Sequence, residues 1–215
     1  MAAEVPLEVK VWGEFACFTR PEMKVERVSY AVMTPSAARG VLEAIFWKPE
    51  FSWRVREIWV LNDIRYFSIL RNEVNNRASE RSARDWAQRG GGYLAAEDRA
   101  QRHTLALRDV AYVIRAEPVV NPGTMEHVAK YRDQFRRRVA RGQCFATPYL
   151  GCREFSAAFS ATDGTERPVR STKSLGRMLL DLDYAADTSG RASPRFFDAE
   201  LRDGVLSVPI ASGEG

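Results

Sequence analysis

The chain has 215 residues, 45% of them apolar, with 32 Lys and Arg against 28 Asp and Glu for a formal net charge of +4. That is the composition of one globular unit, or one with a large appendage, and no apolar run approaches the ~18 residues a membrane helix needs. Three cysteines without a C-x-x-C pair and two distant histidines, His103 and His127, argue against a disulfide scaffold and a zinc site, so no metal or other cofactor is expected.

In chain order, Leu7–Trp12 alternates apolar and polar residues and predicts a strand. The N-terminal stretch before it lacks the pattern of a secretory signal, which suits a cytoplasmic protein. Thr34-Pro35 opens a helix as N-cap and first helical residue, Ala37, Ala38, Val41 and Ile45 share a face, and Pro49 stops it. Val55–Leu61 and Ile64–Leu70 read as strands joined by a hairpin turn at Asn62-Asp63. Residues 71–103 are polar, Arg-rich and carry Gly90-Gly91-Gly92, which predicts a long mobile insertion or hairpin tip. Leu105–Val120 is strand-like, and residues 126–141 are a helix with Thr124 as N-cap and Gly142 after its end. Arg177–Asp183 and Ala199–Val208 are strand-like, with a two-residue turn at Asp203-Gly204. A frayed tail is expected over Ala211–Gly215.

This order predicts an α+β fold: a ferredoxin-like (RRM-like) βαββαβ domain over residues 1–143 with an Arg-rich insertion, then a small C-terminal antiparallel β-sheet over 144–215.

Positive charge is clustered. Of the basic residues 27 are Arg and 5 are Lys. Residues 126–141 hold six basic side chains (Lys130, Arg132, Arg136, Arg137, Arg138, Arg141) against two acidic ones. Their surplus of four equals the net charge of the whole chain. Val128, Tyr131, Phe135 and Val139 form one apolar face, and Lys130, Arg137 and Arg141 lie opposite it. Such a ridge is the footprint expected of nucleic-acid binding, because guanidinium keeps its charge and grips phosphate bidentately.

Three segments resemble a known family. Thr34-Pro-Ser-Ala-Ala-Arg-Gly-Val-Leu-Glu-Ala-Ile-Phe-Trp-Lys-Pro49, the strand region VWGEFACFTRPEMKVERVSYAV before it, and Leu150-Gly-Cys-Arg-Glu-Phe155 are similar to CRISPR-associated family five, subtype I-C (also called Dvulg). The order and spacing fit across about residues 5–210. The resemblance implies an endoribonuclease that cuts CRISPR precursor RNA at its repeats and keeps the 5′ handle of the guide RNA. It also implies partners, the other subunits of a type I-C interference complex. The family's site is described as metal-independent: a Tyr in the first-helix motif and a Lys-His pair on the second helix. These positions fall here on Phe46, Lys130 and Tyr131, so two of three side chains depart from the pattern.

In metal-free cleavage the RNA's own 2′-hydroxyl attacks the adjacent phosphorus, leaving a 2′,3′-cyclic phosphate and a 5′-hydroxyl. Lys130 suits stabilisation of the phosphorane, Tyr131 could serve as acid or orient the phosphate, and His127 is an alternative base one turn away. A cation such as Lys130 could lower the phenol's pKa. Trp47 and Lys48 are placed to stack on a base and to contact phosphate. Two further readings stay open: a non-catalytic guide-RNA-binding subunit, and a metal-dependent, weakly specific nuclease acting on DNA.

Overall fold

A computed structural model of the chain describes residues 5–23, 25–76, 79–184 and 192–210. The tail 211–215 lies outside these residues. A predominantly antiparallel sheet is built on one long strand, β5 (Arg99–Val120). Its edges are shared. On one side β1 (Leu7–Ala16) pairs antiparallel with Leu107–Ala116, and the two-residue β2 (Arg27–Val28) continues that edge in parallel at Thr104-Leu105. On the other side β3 (Phe51–Val60) pairs with Tyr112–Val120, and β4 (Tyr66–Val74) with Arg99–Leu107.

The alternation in β1 puts Leu7, Val9 and Val11 on the buried face, and Phe51, Trp53 and Val55 of β3 join them. Two helices cover that face, α1 (Pro35–Ile45) and α3 (Val128–Ala140). Val41, Leu42 and Ile45 of α1 and Tyr131, Phe135 and Val139 of α3 enter the same core. Trp53 meets the Phe135 ring edge-on, with centroids 4.7 Å apart.

Thr34 caps α1 as expected, its hydroxyl accepting from the Ala37 amide at 3.3 Å, with Pro35 in the first turn. At the other end the Ala44 carbonyl accepts from the amides of Phe145 and Ala146, at 2.8 and 3.0 Å. The last helical carbonyls, which have no partner inside the helix, are thus satisfied by the chain that leaves α3.

One expectation is corrected and another is narrowed. Asn62-Asp63 is no hairpin turn, because β3 and β4 pair with β5 and not with each other. They form one interrupted strand along the same edge. The break is held by the Leu61 amide on the Ala111 carbonyl at 2.9 Å and the Asn62 side-chain amide on the Asp109 carbonyl at 2.8 Å, opposite a positive φ of 51° at Asp109. For the 71–103 segment, the hairpin tip is the alternative that the fold takes. β4 and the first half of β5 make a long arm, with α2 (Glu80–Arg89) at its tip, capped by Ser79. None of α2 is buried, so the tip of the arm adds no core.

The C-terminal segment contributes β6 (Ala158–Ser160), β7 (Lys173–Tyr184), β8 (Ala192–Arg202) and β9 (Val205–Ser207). Asp203 and Gly204 form the expected two-residue turn, with φ of 46° and 76°, the sign a tight hairpin needs at both positions. The strands run in the order β6-β1-β5-β3-β9-β8-β7. Arg39 of α1 clamps Asp181 of β7 through two hydrogen bonds of 3.0 and 2.7 Å, fixing the last hairpin beside α1.

Candidate functional site

The turn after α1 and the start of α3 are distant in sequence but fastened together. Asn121, just past β5, donates its backbone amide to the Glu50 carbonyl at 2.9 Å and its side-chain amide to the Pro49 carbonyl at 2.8 Å. The Thr124 hydroxyl donates to the same Glu50 carbonyl at 3.3 Å. Thr124 therefore anchors the loop, and the N-cap of α3 is His127, whose Nδ1 accepts from the Ala129 amide at 3.2 Å. These bonds bring Trp47, Lys48 and Glu50 to the end of α3 that carries His127, Lys130 and Tyr131.

Lys130 and His127 are exposed. Lys130 Nζ lies 2.6 Å from the Glu126 carboxylate one turn back, and that hydrogen bond raises its pKa. It stays a cation at any physiological pH. The His127 cap sets its tautomer: with Nδ1 accepting, the neutral ring carries its proton on Nε2.

Tyr131 is 3% exposed, with its ring 4.9 Å from that of Phe51. Its hydroxyl is buried and has no hydrogen-bond partner among the described residues, as is also true of Glu50 Oε2. Burial, together with the carboxylates of Glu50 and Glu126, raises the phenol's pKa, and the opposing pull of Lys130 is the smallest of these effects. The expectation that Lys130 could lower it is corrected: Tyr131 is a neutral phenol at pH 7. Phe46, at the family's tyrosine position, is buried against Phe51 with centroids 5.4 Å apart, and its carbonyl accepts from the Trp53 indole at 2.8 Å. Trp47 is 51% exposed and Lys48 is exposed, both open to a ligand.

The basic residues of α3 divide into two groups. Arg136, Arg137 and Arg141 face solvent. Arg136 pairs with Asp133 at 3.0 Å, while Arg137 and Arg141 have no acidic partner among the described residues. Arg132 and Arg138 do not stand on the ridge. Arg132 is 4% exposed and donates to the Val5 carbonyl, because the chain before β1 covers that side of the helix. Arg138 reaches across to the Ile45 carbonyl at 3.1 Å and lies over the Phe46 ring, 5.4 Å from its centre. Both hold the fold together.

Sequence reasoning missed Glu50, which follows the WKP turn directly but shows its place only once Asn121 and Thr124 pin that turn. It also missed the brace at the root of the arm. There Glu154 accepts from Arg71 and Arg27, and Glu73 pairs with Arg71 at 2.8 Å and Arg27 at 3.3 Å. Among the described residues no cluster of three or more His, Cys, Asp or Glu is arranged to hold a metal ion, and no helix is long and apolar enough to cross a membrane.

An α+β architecture with a large antiparallel sheet and few helices is shared with a CRISPR-associated protein solved by crystallography (TM-score 0.68, 21% identity, over 98% of this chain and 97% of that one). Residues 6–209 match the family described as CRISPR-associated protein (Cas_Cas5), in its Cas5d branch, and the chain belongs to that family. Two relatives are each named "CRISPR pre-crRNA endoribonuclease Cas5d". The protein of Thermus thermophilus is 47% identical over 94% of this chain and 91% of its own length. That of Mannheimia succiniciproducens is 44% identical over 94% of each.

Proposed function

We propose that this chain is a CRISPR pre-crRNA endoribonuclease, which cuts repeat RNA without a metal ion and keeps the 5′ handle as a subunit of a type I-C interference complex in the cytoplasm. The observation that carries the reading is the identity to two relatives of that name over nearly the whole chain. The geometry adds an exposed lysine beside a buried, unpartnered phenol, with Arg137 and Arg141 further along the same helix.

In this reading the order β6-β1-β5-β3, with α1 between β1 and β3 and α3 between β5 and β6, supports a ferredoxin-like arrangement whose last strand, β6, lies beyond residue 143, so the unit proposed over 1–143 is completed by Ala158–Ser160. The rest of 144–215 forms the C-terminal unit around β7–β9. RNA lies along the exposed side of α3. Arg136, Arg137 and Arg141 hold phosphates, and Trp47 and Lys48 receive the nucleotide at the turn.

The attacking group is the RNA's 2′-hydroxyl, which gives its proton to solvent water as its oxygen bonds to phosphorus and the bond from phosphorus to the 5′-oxygen breaks. Lys130, a compact cation, stabilises the phosphorane as charge develops on its non-bridging oxygens. To protonate the leaving 5′-oxygen His127 acts as the imidazolium: Nδ1 takes up a proton and releases the Ala129 amide, and Nε2–H then passes to the oxygen, leaving a neutral ring. Tyr131, held neutral, donates to a phosphate oxygen and orients it once RNA displaces the turn that covers its hydroxyl. General acid–base help of this kind is worth about 10²–10⁴-fold.

The test uses the purified chain, the repeat RNA of its own locus and excess EDTA. The expected product ends in a 2′,3′-cyclic phosphate, and a single 2′-deoxy substitution 5′ to the cut abolishes it. Cleavage that survives the deoxy substitution overturns the mechanism. Phe46, which has no hydroxyl, motivates a second reading, a guide-RNA-binding subunit without activity; tight binding with intact RNA after long incubation selects it. Cleavage only with a divalent metal, on DNA as readily as RNA, selects a weakly specific nuclease.

A further inference from the structure

Away from α3, two of the three cysteines meet where the end of β1 passes under the loop before β6. The Cys17 amide donates to the Leu150 carbonyl at 3.0 Å. Gly151, with φ +84°, lies so close that a Cβ there would stand 2.2 Å from the Cys17 carbonyl oxygen. Its lack of a side chain lets the two backbones touch, and it sets Cys152 directly beside Cys17. Cys152 Sγ lies 3.5 Å from the Cys17 carbonyl oxygen. Both thiols also reach the Thr19 hydroxyl, Cys17 at 3.5 Å and Cys152 at 4.0 Å.

The two sulfurs sit in unequal surroundings. Cys17 is fully buried, while Cys152 is partly open. Arg27 points a guanidinium N–H at Cys152 Sγ from 3.6 Å. When protonated, the Cys152 thiol can donate to the Cys17 carbonyl at 3.5 Å; when ionised, it accepts from the Cys17 thiol and from Arg27. The Cys17 hydrogen bond, helped by Arg27, pulls Cys152 down to about 6, while the same partnership and burial push Cys17 up. One member of the pair is a thiolate at neutral pH and the other keeps its proton. Reactivity toward oxidants follows the thiolate.

We propose that Cys152 is a site of oxidation by hydroperoxides, with Cys17 as the thiol that resolves it into a Cys17–Cys152 disulfide. The Cys152 sulfur gives an electron pair to one peroxide oxygen. An S–O bond forms, the O–O bond breaks, hydroxide leaves, and Cys152 becomes a sulfenic acid. The Cys17 sulfur then attacks the Cys152 sulfur. The S–S bond forms, the S–O bond breaks, and the hydroxyl departs as water with the Cys17 proton. Two electrons pass from the thiol pair to one peroxide.

The pair is joined to the arm. Arg27 also binds Glu73 and Glu154, and Glu154 accepts from Arg71 at the root of β4. Forming the disulfide removes the anion that Arg27 faces and ties the 150–152 loop to β1. The inference does not depend on the RNA reading.

The test adds one equivalent of hydrogen peroxide to the full chain at pH 7.5, followed by non-reducing peptide mapping. Cys144, exposed and without these neighbours, is the internal control. The expected result is a Cys17–Cys152 linked peptide pair, loss of two of the three thiols, and reversal by dithiothreitol. Cys17→Ser should stop the reaction at a Cys152 sulfenic acid that dimedone labels. Arg27→Gln should slow iodoacetamide alkylation of Cys152 about tenfold at pH 5, where the thiolate is the minority form, and only about twofold at pH 7, the effects of a rise of about one pKa unit. Oxidation or alkylation of Cys144 ahead of Cys152 in the unaltered chain overturns the proposal, as does the absence of the linked pair; neither readout needs a variant to fold.

Discussion

Arg138 on α3 donates to the carbonyl of Ile45, the last residue of α1, at 3.1 Å. Since α1 has no basic residue in its own last turn, the cation that suits its negative end comes from another helix. Its guanidinium also lies over Phe46. Arg138→Ala should therefore destabilise the chain by about 1–2 kcal/mol, discounted for partial exposure, and lower Tm by about 2–8 °C. Thermal melting checks this. RNA affinity at constant fraction folded should hardly change, which separates Arg138 from the ridge.

Arg137 and Arg141 should behave oppositely. Their joint replacement by Ala leaves Tm within about 1 °C, because exposed residues without partners contribute little. Each lost phosphate contact should reduce the slope of log K against log salt by about 0.7 on single-stranded RNA. A titration at several salt concentrations reads the slope, and an unchanged slope removes both residues from the interface. Arg132→Ala is the contrasting control, with a clear drop in Tm.

Lys130→Ala should slow single-turnover cleavage at least a hundredfold while weakening binding only a few-fold. The Glu126 pair makes a second variant informative. Glu126→Gln frees the ammonium for phosphate and should tighten RNA binding. If Lys130→Ala lowers binding and cleavage in equal proportion, the lysine is a binding residue only.

Tyr131→Phe tests the orphaned hydroxyl. A buried polar group without a partner carries a penalty of about 1–3 kcal/mol, so its removal should hold or raise Tm. Cleavage should fall at least tenfold if the phenol donates to the phosphate. Gains in stability together with losses in activity are the signature of a group placed for a ligand. A fall in Tm with unchanged cleavage assigns Tyr131 to the core alone.

Tyr30, Tyr112 and Tyr131 all have raised pKa values, chiefly through burial. Here the folded state holds the proton more tightly than the unfolded chain. The stability they contribute is complete below the ordinary value near 10 and is lost as pH rises through the folded values. Tm should fall above about pH 10, in step with phenolate absorbance. A pH-insensitive Tm up to pH 11 contradicts the burial of these hydroxyls.

The parts of the fold legible in the sequence were those with local causes. Thr34-Pro35 and Asp203-Gly204 announced a helix start and a tight turn because cap and turn chemistry is written in adjacent residues. Asn62-Asp63 misled for the opposite reason: a turn-like pair cannot reveal that a third strand is long enough to partner both of its neighbours. α2 was hidden by its polarity, since a helix with no buried face leaves no apolar period to detect. In the site, the motif brought Lys130 and the WKP turn into view. The helical wheel could not separate Arg132 from Arg137, because it does not know that Val5 covers one flank. Glu50 and the Cys17–Cys152 contact depend on long-range pairing and had no local signal.

The 22 residues of β5 place the arm at one end of the strand and the loop feeding α3 at the other. At about 3.3 Å per residue the strand can span no more than about 73 Å. One continuous strand thus carries both, and its pairing with four others leaves little freedom to change the spacing between the arm and the Lys130 end of α3.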